Sequence, residues 1–157
     1  MTEAPSGKTP AKDVLVKITA TFFGAGYSPW APGTMGSLAG IMIAWFVGPS
    51  AYLYLAVFAA LGFLVCPASV RVFNSTDPSM FVMDEVCGVM IAALLVPRTI
   101  AFYAGAFILF RLFDIAKPWP ISIIQKSKRP SAIMWDDVLA GVFANLVLRG
   151  ILLLLNP

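Results

Sequence analysis

Between Lys17 and Arg71 the chain carries no Asp, Glu, Lys or Arg, and Ala, Leu, Val, Phe and Gly fill most of the interval. An uncharged apolar run of that length accommodates two bilayer crossings at about 20 residues each. A soluble domain carries a charge at roughly every fourth position. Here 12% of the 157 residues are charged and 59% hydrophobic, with a mean hydropathy of +0.85, so a soluble single domain is the weaker reading.

The first twelve residues are rich in Pro, Ala, Lys and Thr and have no apolar centre. They are expected to form a short flexible cytoplasmic tail and not a cleavable secretory signal. Residues 13–157 are then a single membrane-embedded helical domain. Cys66 and Cys87 lie in apolar surroundings and read as free thiols packed in the membrane. The net charge of +3 suits loop lysines facing anionic lipid. Without a basic patch interleaved with aromatics, no nucleic-acid partner is expected.

Apolar segments at 36–48, 51–73, 80–96, 99–116 and 138–155 predict an all-α fold, a polytopic bundle of about five membrane helices. Residues 14–23 are shorter and contain Lys17, which favours an interfacial helix over a crossing. The 36–48 segment is short for about 30 Å of hydrocarbon, so it starts earlier, is re-entrant, or sits where the bilayer thins. Short cytoplasmic loops carry the Lys/Arg excess. Lys8, Lys12 and Lys17 therefore place the N-terminus inside, with the 71–85 connection and the loop holding Lys117, Lys126, Lys128 and Arg129. Residues 48–50 and 97–98 fall outside, and only Arg98 and Arg149 lie toward that second face.

This topology decides where the acids go. Glu3 and Asp13 belong to the N-terminal region; Asp77, Asp84, Glu85, Asp114, Asp136 and Asp137 all meet the inner face. Asp84 and Glu85 fall near the start of the third predicted span, Asp114 near the end of the fourth, and Asp136 and Asp137 at the start of the fifth. Helix-start capping would account for Asp84, Asp136 or Asp137 taken singly. It does not account for Asp114, at the wrong end for a carboxylate, although Arg111 and Lys117 lie three residues away on either side and could pair with it. Acids at membrane depth are costly without a cationic partner. Several carboxylates, with no histidine in the chain and no paired cysteines, suit a hard divalent cation, Mg²⁺, over zinc or haem. Mg²⁺ commonly bridges carboxylates and phosphate oxygens, which points to phosphate ester chemistry.

Two further segments agree. Residues 24–37 form a Gly/Pro-rich loop leading into a helix, whose first backbone N–H groups near Thr34, Gly36 and Ser37 could hold a phosphate. The lysine of a Walker pattern is missing. In Phe110-Arg111-Leu112-Phe113-Asp114-Ile115-Ala116-Lys117-Pro118-Trp119-Pro120, the prolines end the helix and hold Lys117 at the interface. Arg111 and Lys117 could grip phosphate oxygens, or simply snorkel to the surface.

Four segments together resemble the phosphatidylglycerophosphatase A family. They are residues 31–38 (APGTMGSL), Asp77-Pro78-Ser79 with residues 82–88 (VMDEVCG), residues 110–120, and residues 133–141 (IMWDDVLAG). The resemblance implies Mg²⁺-dependent removal of the phosphate monoester from phosphatidylglycerophosphate, a membrane phospholipid, at the cytoplasmic face of the bacterial inner membrane. It makes Asp84, Glu85, Asp114, Asp136 and Asp137 metal ligands. Four of these (Asp84, Glu85, Asp136 and Asp137) are catalytic together with Lys117, and Thr34, Gly36, Ser37, Arg111 and Lys117 become phosphate contacts. The connection 125–132 departs from the expected pattern in having no glycine.

A histidine phosphatase route has no histidine to use. A cysteine route would need a Cys-x₅-Arg loop, but Val72 and Ala93 stand where that arginine would follow Cys66 and Cys87. The runner-up is a small cation- or proton-coupled transporter, since intramembrane acids also mark ion paths. Such a protein should carry its acids near the midplane within inverted repeats, whereas these lie at helix ends and no repeat is visible.

Overall fold

The computed structural model describes residues 10–125 and 129–155, so Glu3, Lys8, Lys126, Lys128 and most of the expected N-terminal tail lie outside the described residues. Among the described residues seven α-helices follow in order: α1 Ala11–Ala20, α2 Pro32–Val47, α3 Ala51–Val72, α4 Met83–Ala92, α5 Ile100–Ala116, α6 Ile121–Gln125 and α7 Ala132–Leu155. No strand occurs among the described residues, as an all-α fold requires. Pro32–Val72, taken as one helical stretch, and Ala132–Leu155 are long and apolar enough to cross a membrane.

Sequence chemistry sets most boundaries. α1 ends at Ala20, three residues before the predicted end, because Phe22 and Phe23 both turn left-handed, at φ 46° and 55°. α2 begins at Pro32, whose fixed φ and missing N–H suit the first helical position. Of the three readings of the short 36–48 segment, an earlier start is the one observed. α2 stops at Gly48, which adopts φ 56° and ψ −127°, and a single 3₁₀ turn, Gly48–Ser50, leads into α3. α7 opens at Ala132, six residues earlier than the apolar pattern predicts, and Ala132 needs no left-handed backbone. The 125–132 connection therefore reaches α7 without a glycine at that position.

α4 is the main departure. The predicted span 80–96 is helical only over Met83–Ala92, about 15 Å at about 1.5 Å per residue. Eight of its ten residues are buried, because α2, α3, α5 and α7 all pack around it. Its last carbonyls would be orphaned in apolar surroundings, but Asn145 of α7 donates from Nδ2 to Ala92 O (3.1 Å) and Leu94 O (2.6 Å). α7 also approaches α4 at backbone contact: a Cβ on Gly141 would run into Gly88 O. Phe110, Met83, Met90 and Met134 fill the centre. Many outward residues, such as Leu64, Leu153 and Leu154, are apolar and exposed. Contiguous exposed apolar surface of that kind marks a face meant for lipid or another protein.

Candidate active site

Four helix ends and one loop meet in a cavity of about 280 Å³. The first turn of α4 brings Asp84 and Glu85. α7 brings Asp136 and Asp137, which its early start places beyond the first turn. Capping therefore does not explain that pair. The last turns of α5 bring Arg111 and Asp114, its C-cap brings Lys117, and the start of α2 brings Gly33 and Thr34. The loop before α4 adds Asp77 and Ser79.

The carboxylates fall into two groups. One oxygen from each of Asp84, Glu85 and Asp137 lies within 4.8 Å of the other two. Asp84 and Asp137 are almost wholly buried, and Asp84 Oδ1 accepts the Glu85 backbone N–H at 3.0 Å. The second group is paired with cations. Arg111 Nη1 donates to Asp114 Oδ2 at 2.6 Å, Lys117 Nζ lies 3.7 Å from Asp114 Oδ1, and Lys117 Nζ donates to Asp136 Oδ2. The Lys117 backbone is left-handed, at φ 42° and ψ 58°, and its N–H closes on Phe113 O at 2.8 Å. A non-glycine residue held there costs on the order of 1–3 kcal/mol and persists only where its surroundings over-determine it. Burial works against the Lys117 charge. The hydrogen bond to Asp136 and the negative charges of Asp136, Asp137 and Asp114 outweigh it and raise the ammonium pKa above that of an ordinary lysine. Lys117 is therefore protonated at neutral pH.

Glu85 Oε2, Asp136 Oδ1 and Asp137 Oδ2 are buried with no hydrogen-bond partner among the described residues. Buried carboxylate oxygens left bare are costly; two of the three belong to the cluster of Asp84, Glu85 and Asp137, whose converging oxygens a divalent cation would fit. The donor set is all oxygen. Cys66 is engaged elsewhere, its Sγ donating to Pro130 O at 2.9 Å. Asp84, Glu85 and Asp137 therefore fit a hard ion such as Mg²⁺.

Of the predicted site residues, Asp84, Glu85, Asp114, Asp136, Asp137, Arg111, Lys117 and Thr34 line the cavity, and Gly36 and Ser37 do not. Ser37 is fully buried and its Oγ donates to Gly33 O at 2.8 Å. Gly36 faces the start of α4, where a Cβ would stand 2.8 Å from Val82 Cβ and 2.9 Å from Val82 O. Both serve packing of α2. Asp114, predicted as a metal ligand, sits between Arg111 and Lys117, outside the three-oxygen cluster. The glycine on the cavity wall is Gly33, whose added Cβ would run into Glu85 Oε1 and lie 3.1 Å from Arg111 Nη1. Asp77 was already legible as an acid of this face; nothing in residue type singles out Ser79.

A family model described as phosphatidylglycerophosphatase A matches residues 18–152. Curated relatives agree over most of their length. A Bacteroides thetaiotaomicron protein is 39% identical over 83% of this chain and 89% of its own, and its name gives phosphatidylinositol-3-phosphatase as a provisional activity. Two proteins named phosphatidylglycerophosphatase A follow. The Haemophilus influenzae protein is 36% identical over 87% of this chain and 88% of its own, and the Escherichia coli protein 33% identical over 92% and 90%. No solved structure matches the chain.

Proposed function

The chain belongs to the phosphatidylglycerophosphatase A family and is a phosphoric monoester hydrolase; from that premise we propose that it hydrolyses the phosphate monoester of phosphatidylglycerophosphate, with Mg²⁺, at the cytoplasmic face of a bacterial inner membrane that it crosses several times. The transporter alternative falls with the assignment to a hydrolase family.

One observation carries the chemical part: three mutually close carboxylates, Asp84 and Asp137 buried and Glu85 half-buried, with bare oxygens on Glu85 and Asp137, share a cavity with Arg111 and Lys117. Asp84, Glu85 and Asp137 would hold the cation, which supplies charge neutralisation for the phosphoryl oxygens and acidifies a bound water. The chain's own groups do the rest. Arg111 and the protonated Lys117 hold phosphoryl oxygens through charge-assisted hydrogen bonds that strengthen as charge develops. Gly33 and Thr34, in the first turn of α2, line the same cavity, and their backbone amides would add donors at the positive end of a helix. Asp114 and Asp136 fix the two cations in place. Water attacks phosphorus and gives its proton to Asp136 Oδ1, the bare oxygen outside the cation cluster. The phosphorus–oxygen bond to glycerol breaks and that proton passes to the departing oxygen, leaving phosphatidylglycerol and inorganic phosphate.

The membrane part rests on the two long apolar helical stretches and on the basic residues around the acidic ends. The substrate follows the names of two relatives, and the third relative's name supplies the competing head group, another lipid phosphomonoester. Phosphate release by the detergent-purified protein from phosphatidylglycerophosphate and from phosphatidylinositol 3-phosphate, with Mg²⁺ and with chelator, tests the reading. Preferred, Mg²⁺-dependent release from phosphatidylglycerophosphate is expected. Release that ignores chelation, or that favours the inositol lipid, overturns it.

A further inference from the structure

Helices α2 and α5 pack side by side and leave between them an apolar groove of about 690 Å³. Its walls include Leu38, Met42 and Phe46 of α2 and Ala104, Phe107 and Ile108 of α5. These positions recur at three- and four-residue spacing, so each wall is one stripe of its helix. Carried one further turn, the α2 stripe reaches Thr34 and the α5 stripe reaches Arg111, and both of those residues line the carboxylate cavity. α2 leads away from the cavity and α5 leads toward it, so both stripes recede from it in the same direction.

The groove has a built floor. Trp45 and Tyr103 meet edge to face with ring centroids 5.1 Å apart, and Tyr103 donates from its hydroxyl to Ala44 O at 3.4 Å. The Arg98 guanidinium carbon lies 5.3 Å from the centre of the Trp45 ring. Leu38, Met42, Phe46 and Ile108 are exposed above that floor. From Leu38 to Phe46 the wall runs about 12 Å at about 1.5 Å per residue, close to half of a hydrocarbon core of about 30 Å. That is the depth of one leaflet.

We infer that this groove holds one fatty acyl chain of the lipid whose phosphate is hydrolysed, and so sets the depth at which the head group meets Arg111 and the carboxylates. The inference rests on the lipid phosphatase reading above. Its occupant follows from continuity: the apolar stripes end where the phosphate is gripped, so a molecule bound at both must carry an apolar tail next to its phosphate-bearing head.

Ala104→Trp fills the groove without touching the cavity. Its expected effect is a KM for long-chain phosphatidylglycerophosphate raised at least about tenfold, with kcat/KM for the deacylated analogue, glycerophosphoglycerophosphate, within about twofold of wild type. Equal losses on both substrates, or no loss on the long-chain one, overturn the inference. The wild-type protein provides a second measurement that needs no folded variant. A phosphonate analogue of phosphatidylglycerophosphate with a diazirine in one acyl chain should label α2 and α5 in preference to the outer faces of α3 and α7. It should do so more strongly than a phosphatidylcholine probe of the same tail. Even labelling of all helices, or equal labelling by the two probes, refutes the groove. A wild-type protein that releases phosphate from neither substrate refutes the phosphatase reading instead, and the labelling pattern then decides the groove alone.

Discussion

The two halves of the cavity treat the same residue type in opposite ways. On the α5 side, Asp114 and Asp136 each hold a cation, and Arg111 and Lys117 balance them. On the α4 side, Asp84, Glu85 and Asp137 crowd together, with bare oxygens on Glu85 and Asp137 and no ion pair to a cation of the chain among the described residues. A buried ion pair balances its own charge, whereas a buried cluster of carboxylates is relieved by taking up protons or a cation. One half thus balances two carboxylates with two cations and positions them for an anion; the other half holds three carboxyl groups and no paired cation, a place a positive ion could fill. A phosphate dianion entering before that ion would meet net repulsion, so cation and phosphate binding should be coupled.

The largest expected effects lie in the bare half. Asp84→Asn, Glu85→Gln and Asp137→Asn should each lower phosphate release at least about 100-fold at saturating Mg²⁺ while the protein still inserts in membranes. Near-normal rates in all three would erase the distinction between the halves. In the paired half, Lys117→Met removes a phosphate donor and strips Asp136 of its partner, with an expected loss in kcat/KM of about 10- to 100-fold. A loss confined to thermal stability would make Lys117 a structural cation only. The coupling gives the next test: inorganic phosphate should bind measurably by calorimetry only with Mg²⁺ present, and equal affinity with chelator would break the contrast. Smallest in its effect on chemistry is Ser37→Ala, expected to leave kcat/KM within about twofold and to cost about 1 kcal/mol of stability through the lost bond to Gly33 O. A large kinetic loss would return Ser37 to the phosphate site.

Much of this was legible in the residues. Placing the acids at the ends of three predicted helices, with the basic loops beside them, anticipated the shared cavity they line. Helix phase was not legible. A helix starting at Pro32 turns Thr34 toward the cavity and Gly36 toward Val82, and the apolar residues around them do not reveal that rotation. The length of α4 was equally hidden, since Ala93, Leu94, Leu95 and Val96 are as apolar as the helix they follow. Just past its end Leu95 turns left-handed at φ 58°, and an amide 51 to 53 residues along the chain takes up the carbonyls of Ala92 and Leu94. The partition of the acids into a mutual cluster and a cation-paired set depends on side-chain distances that no spacing rule supplies.

The short α4 has a mechanical consequence. Asp84 and Glu85 stand at one end of a stiff rod about 15 Å long, and Asn145 grips the other end. Loosening that grip would tilt or slide the rod, and its other end carries the clustered carboxylates. A residue at the opposite end of α4 thereby acts as an adjusting screw for the site.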